Sequence, residues 1–315
     1  MWNDRYLSKF GLKPPGTWLD LTRPEYFRHI GMSTPSRSGT THMAVESILQ
    51  SQGWEQGWAT ILKIGGNIAT ITARSYGVPD GVKDRRFGIG IVIDFFSLSL
   101  KYSGFPVSFI YPPQGSLLPA NIALIKGSQN AEAAKQFIRF LISRKGQELL
   151  FEPAISRLPV MPSIYEKAPA GYPNPFKNGN SHAILFNTHL SRQRYHLINS
   201  MFDHLVTRRN KALNRTWNLI HEAEKRLKIE SNPKAETLVT EAKKLATRVP
   251  VSSEDSQSPD FTSIFKRYRP GKPLPTEQVE LEKSWETFSR LSLEKAMDLA
   301  SRAIISIKSS NREND

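Results

Sequence analysis

The 315-residue chain has no cysteine. That excludes disulfides, thiolate metal sites and a cysteine nucleophile. No run approaches the ~20 apolar residues of a membrane-spanning helix. The longest, "FGIGIVIDFF" (87–96), is broken by glycine and aspartate, and no membrane insertion is expected. The opening "MWNDRYLSKFGLKPPG" has neither an apolar stretch nor a small-residue cleavage site, so no signal peptide is read in the chain as it stands. Catalytic templates are missing as well. There is no G-x-S-x-G, no H-E-x-x-H and no P-loop, and the seven histidines show no metal-like spacing. Neither an enzyme, a cofactor nor a metal is expected, and binding without chemistry is favoured.

Acidic charge is scarce. The net charge is +14, and the surplus divides equally between residues 1–160 and 161–315. A nucleic-acid interface concentrates basic residues on one face or stripe. Here the tightest clusters are only "KDRR" (83–86) and "RR" (208–209). No nucleic-acid partner is expected, while a diffuse positive field suits small anions.

The first 160 residues alternate strand-like apolar runs with helical periodicity. "HIGMST" (29–34) reads as a short strand ending at a serine-rich loop. From Met43 to Ile64 apolar residues recur at helical spacing, Gly53 marks a turn between two helices, and "IGGN" (64–67) reads as a break. "IATITARSYGV" (68–78) fits helix or strand. "RFGIGIVID" (86–94), "FPVSFIYP" (105–112) and "PANIALIKG" (119–127) read as strands, with a short helix running to about Tyr102. Asn130 caps a helix with Ala133, Phe137, Phe140 and Leu141 on one face. The pattern is α/β, a parallel or mixed sheet covered by helices. Five prolines, two glycines and four asparagines between Pro159 and His189 mark a connection. Beyond it the chain is helical. One very long helix carries Tyr195, Ile198, Phe202, Leu205, Leu213, Trp217, Ile220 and Leu227. A second runs from about Pro233 to Arg248, then a polar loop "SSEDSQSPD" (252–260), then a helix over about 276–307 and a disordered tail.

The loop "STPSRSGTTH" (33–42) combines an arginine, hydroxyls and a glycine ahead of a helix. A helix start exposes N–H groups and partial positive charge. Ser38, Thr40 and Thr41 offer hydroxyls, Gly39 lets a ligand approach the backbone, and Arg37 can grip a carboxylate or phosphate. The same residues equally describe an ordinary hydroxyl cap without a ligand. Arg74 and Ser75 form a second candidate contact, or an ordinary surface turn. Asp94 stands where a strand ends, facing the ligand crevice of an α/β sheet, or merely caps the next helix. Gln114 borders the stiff turn "YPPQG".

Seven motifs follow one another in a recognisable order: "TWLDLTRPEYFRHIGMSTPSRSGTTH", "GWEQGW", "ARSYGVPDGV", "FGIGIVIDFF", "SGFPVSFIYP", "PANIALIK" and "AAKQFIRFLISRKGQELL". Together they resemble a type II periplasmic substrate-binding protein of the iron(III)- and phosphosugar-binding branch. The resemblance implies two α/β lobes that clamp a ligand, and a periplasmic location. It casts residues 1–18 as a crossover, 19–112 as the second lobe, 113–160 as a return to the first lobe, 161–190 as a connection, 191–308 as a helical portion and 309–315 as a tail. On this reading the first lobe and an export signal are missing ahead of Met1, and the first-lobe remnant exposes apolar surface. By position in the family pattern, Ser36, Ser38, Gly39, Thr40 and Thr41 match the loop that contacts anionic ligands. Iron-binding relatives carry paired tyrosines where this chain has Asp94-Phe95, which favours an organic phosphate or hydroxy acid over iron. The resemblance further implies an inner-membrane permease or a membrane sensor as partner. A helical interaction scaffold, or a shortened remnant without function, stays open as the alternative.

Overall fold

The computed structural model describes residues 1–113, 115–177, 186–267, 269 and 271–313, of which 308–313 are described as backbone only. Five strands form one mixed sheet in the order β3-β2-β4-β1-β5. These are β1 (Trp2–Asn3), β2 (Ile30–Ser33), β3 (Ile68–Thr72), β4 (Ile89–Gly90) and β5 (Val107–Ser108). β2 runs parallel to both β3 and β4, while β1 is antiparallel to β4 and β5. The three parallel strands therefore end on one edge. There Ser33 pairs with Thr72, and the Ser33 hydroxyl donates to the Thr72 carbonyl at 3.1 Å.

After α1 (Asp4–Phe10), helices α2 (Gly39–Gln52) and α3 (Trp54–Asn67) connect β2 to β3. Gly53 separates them at φ 79°, a left-handed conformation that glycine adopts without a Cβ penalty. α4 (Gly77–Lys83) and α5 (Asp94–Tyr102) follow β3 and β4, and α6 (Ala131–Leu141) and α7 (Arg144–Glu148) lie beyond β5. The helical layer comprises α8 (Thr188–Gln193), α9 (Tyr195–Phe202), α10 (Asn210–Leu227), α11 (Pro233–Ala246), α12 (Ser253–Gln257), α13 (Pro259–Ser263) and α14 (Thr276–Glu313). It shares one core with the sheet layer. Trp58, Ile61 and Leu62 of α3 are buried in the same cluster as Leu213, Trp217 and Ile220 of α10, and Trp285, Ala296 and Ala300 of α14.

Several sequence expectations change. The apolar run at 119–127 forms no strand; residues 116–127 lack regular structure, because no described strand lies beside them to accept their hydrogen bonds. "IGGN" is no break, since α3 continues to Asn67. Its glycines serve close packing: a Cβ on Gly66 would lie 2.2 Å from the Trp217 ring. Asn214 Nδ2 donates to the Gly66 carbonyl at 2.7 Å, satisfying a carbonyl in the last turn of α3. The long helix over 195–227 divides at a π-helical turn, Asp203–Thr207, where side-chain contacts override helical propensity. "SSEDSQSPD" contains all of α12 and the start of α13, because the Ser252 and Ser258 hydroxyls each cap a helix start. The strand at 86–94 is ordered into the sheet only at Ile89–Gly90. α14 runs to Glu313, past the expected start of the tail at 309, as nothing in "SSNRE" breaks a helix.

Residues 117–142 carry apolar side chains into solvent. Leu117, Leu118, Ile122 and Ile125 are exposed, Ile125 by 79%, and so are Phe137 and Phe140 on α6. No residue of α6 is buried, although its sequence is the most clearly amphipathic in the chain.

Candidate functional site

The carboxyl edge of the parallel strands carries the loop after β2, the turn after β3 and the start of α5. Ligands of open α/β sheets bind at this edge. Beside it opens a cavity of about 560 Å³, inside the range of about 300–1,000 Å³ typical of small-molecule sites. The first residues of α2, Gly39 and Thr40, line it together with Asp94 and Ser97 of α5. Most of the remaining wall is apolar, with Trp18, Met43, Ile91 and Phe109 among it, and Asp94 is its only charged side chain among the described residues.

The α2 end is built from its sequence. Ser38 is extended (φ −142°, ψ 107°), and its hydroxyl accepts from Thr41 N–H at 3.1 Å, the ordinary hydroxyl cap. Thr41 Oγ1 donates to the same oxygen at 3.0 Å. Ser38 and Thr41 are therefore buried and occupied with the cap. Gly39 and Thr40 N–H meet no acceptor among the described residues. Two residues with unpaired backbone donors, at the positive end of a 14-residue helix, thus line the cavity.

In the same wall, Asp94 accepts from its neighbour Phe95 N–H at 2.8 Å and from the Tyr111 hydroxyl at 3.0 Å. Asp94 is thus the first residue of α5 and not its cap, which is Ile93 and makes no side-chain bond; its carboxylate accepts a first-turn N–H and lines the cavity. Partial burial and the charge of Asp94 hold the Tyr111 phenol protonated above its ordinary range. Arg157 stacks over the Phe95 ring at 3.3 Å; burial lowers its pKa and the charge of Asp94 opposes the shift. Two buried polar groups in the wall lack partners among the described residues, Ser97 Oγ and Trp18 Nε1. Buried polar atoms are rarely left without a hydrogen bond; both atoms are themselves covered, so a ligand reaches them only if the wall moves.

The cavity thus gathers Gly39, Thr40 and Asp94 from the sequence-derived candidates. Ser36, Arg37 and Arg74 are exposed at the carboxyl edge and do not line it, and half-buried Ser75 does not line it either. Gln114 lies outside the described residues. Sequence reasoning missed Ser97 and Trp18. Ser97 sits one position before the first fully buried leucine of α5, but only the tertiary fold shows that its oxygen is unpaired.

Known proteins resemble this chain closely enough to name its family. The phosphoglycerate transport regulatory protein PgtC of Salmonella typhimurium is 35% identical over 266 residues, 84% of this chain and 63% of the relative. PgtC of Salmonella typhi matches to the same extent. The chain therefore spans less than two thirds of the length of these curated relatives. The periplasmic binding protein AfuA from Actinobacillus pleuropneumoniae, solved with exogenous fructose-6-phosphate bound, matches with a TM-score of 0.54 at 25% identity, covering 64% of each chain. The family model for bacterial extracellular solute-binding proteins matches residues 7–183. That span holds the parallel strands, both helix starts at the cavity and nearly all of its wall, and the chain belongs to this family.

Proposed function

We propose that the cavity holds a small phosphorylated or carboxylated anion, its oxyanion seated on the start of α2. The observation that carries this reading is that Gly39 and Thr40, whose N–H groups have no acceptor among the described residues, line a cavity at the carboxyl edge of three parallel strands. The remainder of the ligand faces Asp94. A carboxylate such as Asp94 accepts from ligand hydroxyls. PgtC is named for phosphoglycerate transport regulation and AfuA was solved with fructose-6-phosphate, so phosphoglycerate and sugar phosphates are the ligands to try first. Ser36, Arg37, Ser38, Thr41, Arg74, Ser75 and Gln114 remain candidate contacts from the sequence, the exposed arginines as a positive rim. Binding is the whole activity. An inner-membrane permease or a membrane sensor on the periplasmic side reads the loaded protein, for uptake or for signalling.

The test is calorimetric titration with 3-phosphoglycerate, fructose 6-phosphate and inorganic phosphate. Gly39→Pro removes one free donor where proline is tolerated, at the first helical position after an extended residue. A charge-assisted hydrogen bond contributes about 1.5–3 kcal/mol, so affinity drops roughly ten- to hundredfold while the melting temperature holds. Wild-type protein that binds none of the three compounds, or a Gly39→Pro variant that binds as well as wild type, defeats the proposal.

A further inference from the structure

Helix α2 is held from behind by the helical layer through polar contacts that its sequence neighbours do not supply. His42 Nδ1 meets Asn199 Oδ1 at 2.9 Å and His42 Nε2 meets Ser191 Oγ at 3.3 Å. One turn further along, buried Glu46 pairs with buried Arg194 at 2.7 Å. The third contact lies just ahead of the helix, where the Thr34 hydroxyl donates to Asp203 Oδ1, at the start of the π-helical turn. Asp203 Oδ1 also accepts from Thr207 Oγ1 at 3.1 Å.

The Asp203 contact sets the direction of a hydrogen-bond chain. An ionised carboxylate only accepts, so the single Thr34 hydroxyl proton points at Asp203. Thr34 Oγ1 then accepts from Ser36 Oγ, 3.1 Å away. The Ser36 proton is drawn inward, toward the turn. Thr34 carbonyl in addition accepts from Arg37 N–H at 3.1 Å, closing the 3₁₀ turn that leads into the Ser38 cap. One carboxylate from the helical layer therefore fixes the first residue of the turn whose last residue caps the ligand-facing helix.

We propose that Asp203 is a positioning residue for the anion site. It acts through Thr34 to hold the 34–38 turn, and thereby the aim of Gly39 and Thr40 N–H. The proposal rests on the anion reading above and extends the site into residues that the family match, 7–183, does not reach. The role needs an acceptor and not a charge. Asparagine keeps the acceptor and removes a negative charge from the neighbourhood of an anion.

Titration of the full chain with fructose 6-phosphate and 3-phosphoglycerate separates this role from a merely structural one. Asp203→Ala and Thr34→Val each weaken binding about tenfold, the size expected for one lost hydrogen bond. The double variant is no weaker than either single one. Asp203→Asn binds as tightly as wild type or a few-fold tighter, and Thr207→Val, which cuts the other contact of the carboxylate, leaves affinity unchanged. Wild-type affinity in both Asp203→Ala and Thr34→Val overturns the proposal, as does additive loss in the double variant. Should Asp203→Ala not fold, Thr34→Val against Thr34→Ser gives the same contrast. If the wild type binds no phosphate ester, the anion reading fails, and amide exchange decides the positioning role without ligand. Exchange at Arg37, Thr41 and His42, whose N–H groups are bonded within the turn and its cap, then rises in Asp203→Ala and returns in Asp203→Asn; unchanged exchange overturns it.

Discussion

Glu46 is fully buried and Arg194 nearly so, with the guanidinium giving Glu46 both Nε and Nη2 contacts and facing the Trp54 ring at 5.2 Å. Removing one partner of such a pair strands the other charge, at a cost of about 3–5 kcal/mol. Arg194→Met is expected to lose stability on that scale in urea unfolding, and a loss below 1 kcal/mol contradicts the assignment. His42 lies beside the pair. Burial lowers its pKa below the ordinary 6.5, as it does for His29 and His196. The unfolded chain then takes up protons first as pH drops through 6.5, so stability declines on acidification from pH 7 toward pH 5. Denaturant titrations across that range should show the decline, and His42→Gln should flatten it. At this scale the sequence showed what local physics dictates. Ser38 and Gly39 ahead of apolar periodicity are legible as a cap because the cap is made within four residues. Asp203 and Thr34 lie 169 positions apart, and neither residue type hints at the other.

Among the elements, the crossing of α3 on α10 depends on the absence of a side chain at Gly66. Gly66→Ala drives a methyl into Trp217, and overpacking of this kind costs about 1–3 kcal/mol. Urea midpoints measure it, and an unchanged midpoint would show that the two helices can part without loss. The α9–α14 contact carries an acid-sensitive link. Burial opposes ionisation of Glu282, but hydrogen bonds from His204, Ser200 and Gln278 outweigh it and set its pKa at about 2. The depressed value contributes stability above the ordinary 4.5 and loses it as pH falls toward 2. Glu282→Gln is therefore expected to shrink the loss of stability between pH 4.5 and 2 in thermal melts. Strongly periodic elements were legible: α10 keeps Leu213, Trp217 and Ile220 buried where the spacing puts them. The division of the long helix was not, because "DHLVTRRN" contains neither glycine nor proline. The false strand at 119–127 has the composition of a strand, but a strand also requires a neighbour.

For the whole molecule, the ordered motifs disclosed the family and the mixed α/β fold, while the joining of sheet and helices into one core depended on contacts no motif records. The expectation of exposed apolar surface in 113–160 matches Leu117, Ile125, Phe137 and Phe140 in solvent. Contiguous patches of this kind promote association. Sedimentation velocity of the isolated chain should show self-association that Phe137→Ser with Ile125→Ser reduces, with no drop in melting temperature, because neither side chain is buried. A monomer at high concentration would contradict this.

The shared core also has a schedule. The faces of α2 and α3 that meet α9 and α10 are complete once residue 67 is made, yet Leu213 and Trp217 come about 150 residues later. At synthesis rates of roughly 5–20 residues per second, those faces wait on the order of 8–30 s for their partners. Trp54, Trp58 and Leu62 are thus made long before the helices that share their core, and α2 and α3 depend on protection while the chain is being synthesised.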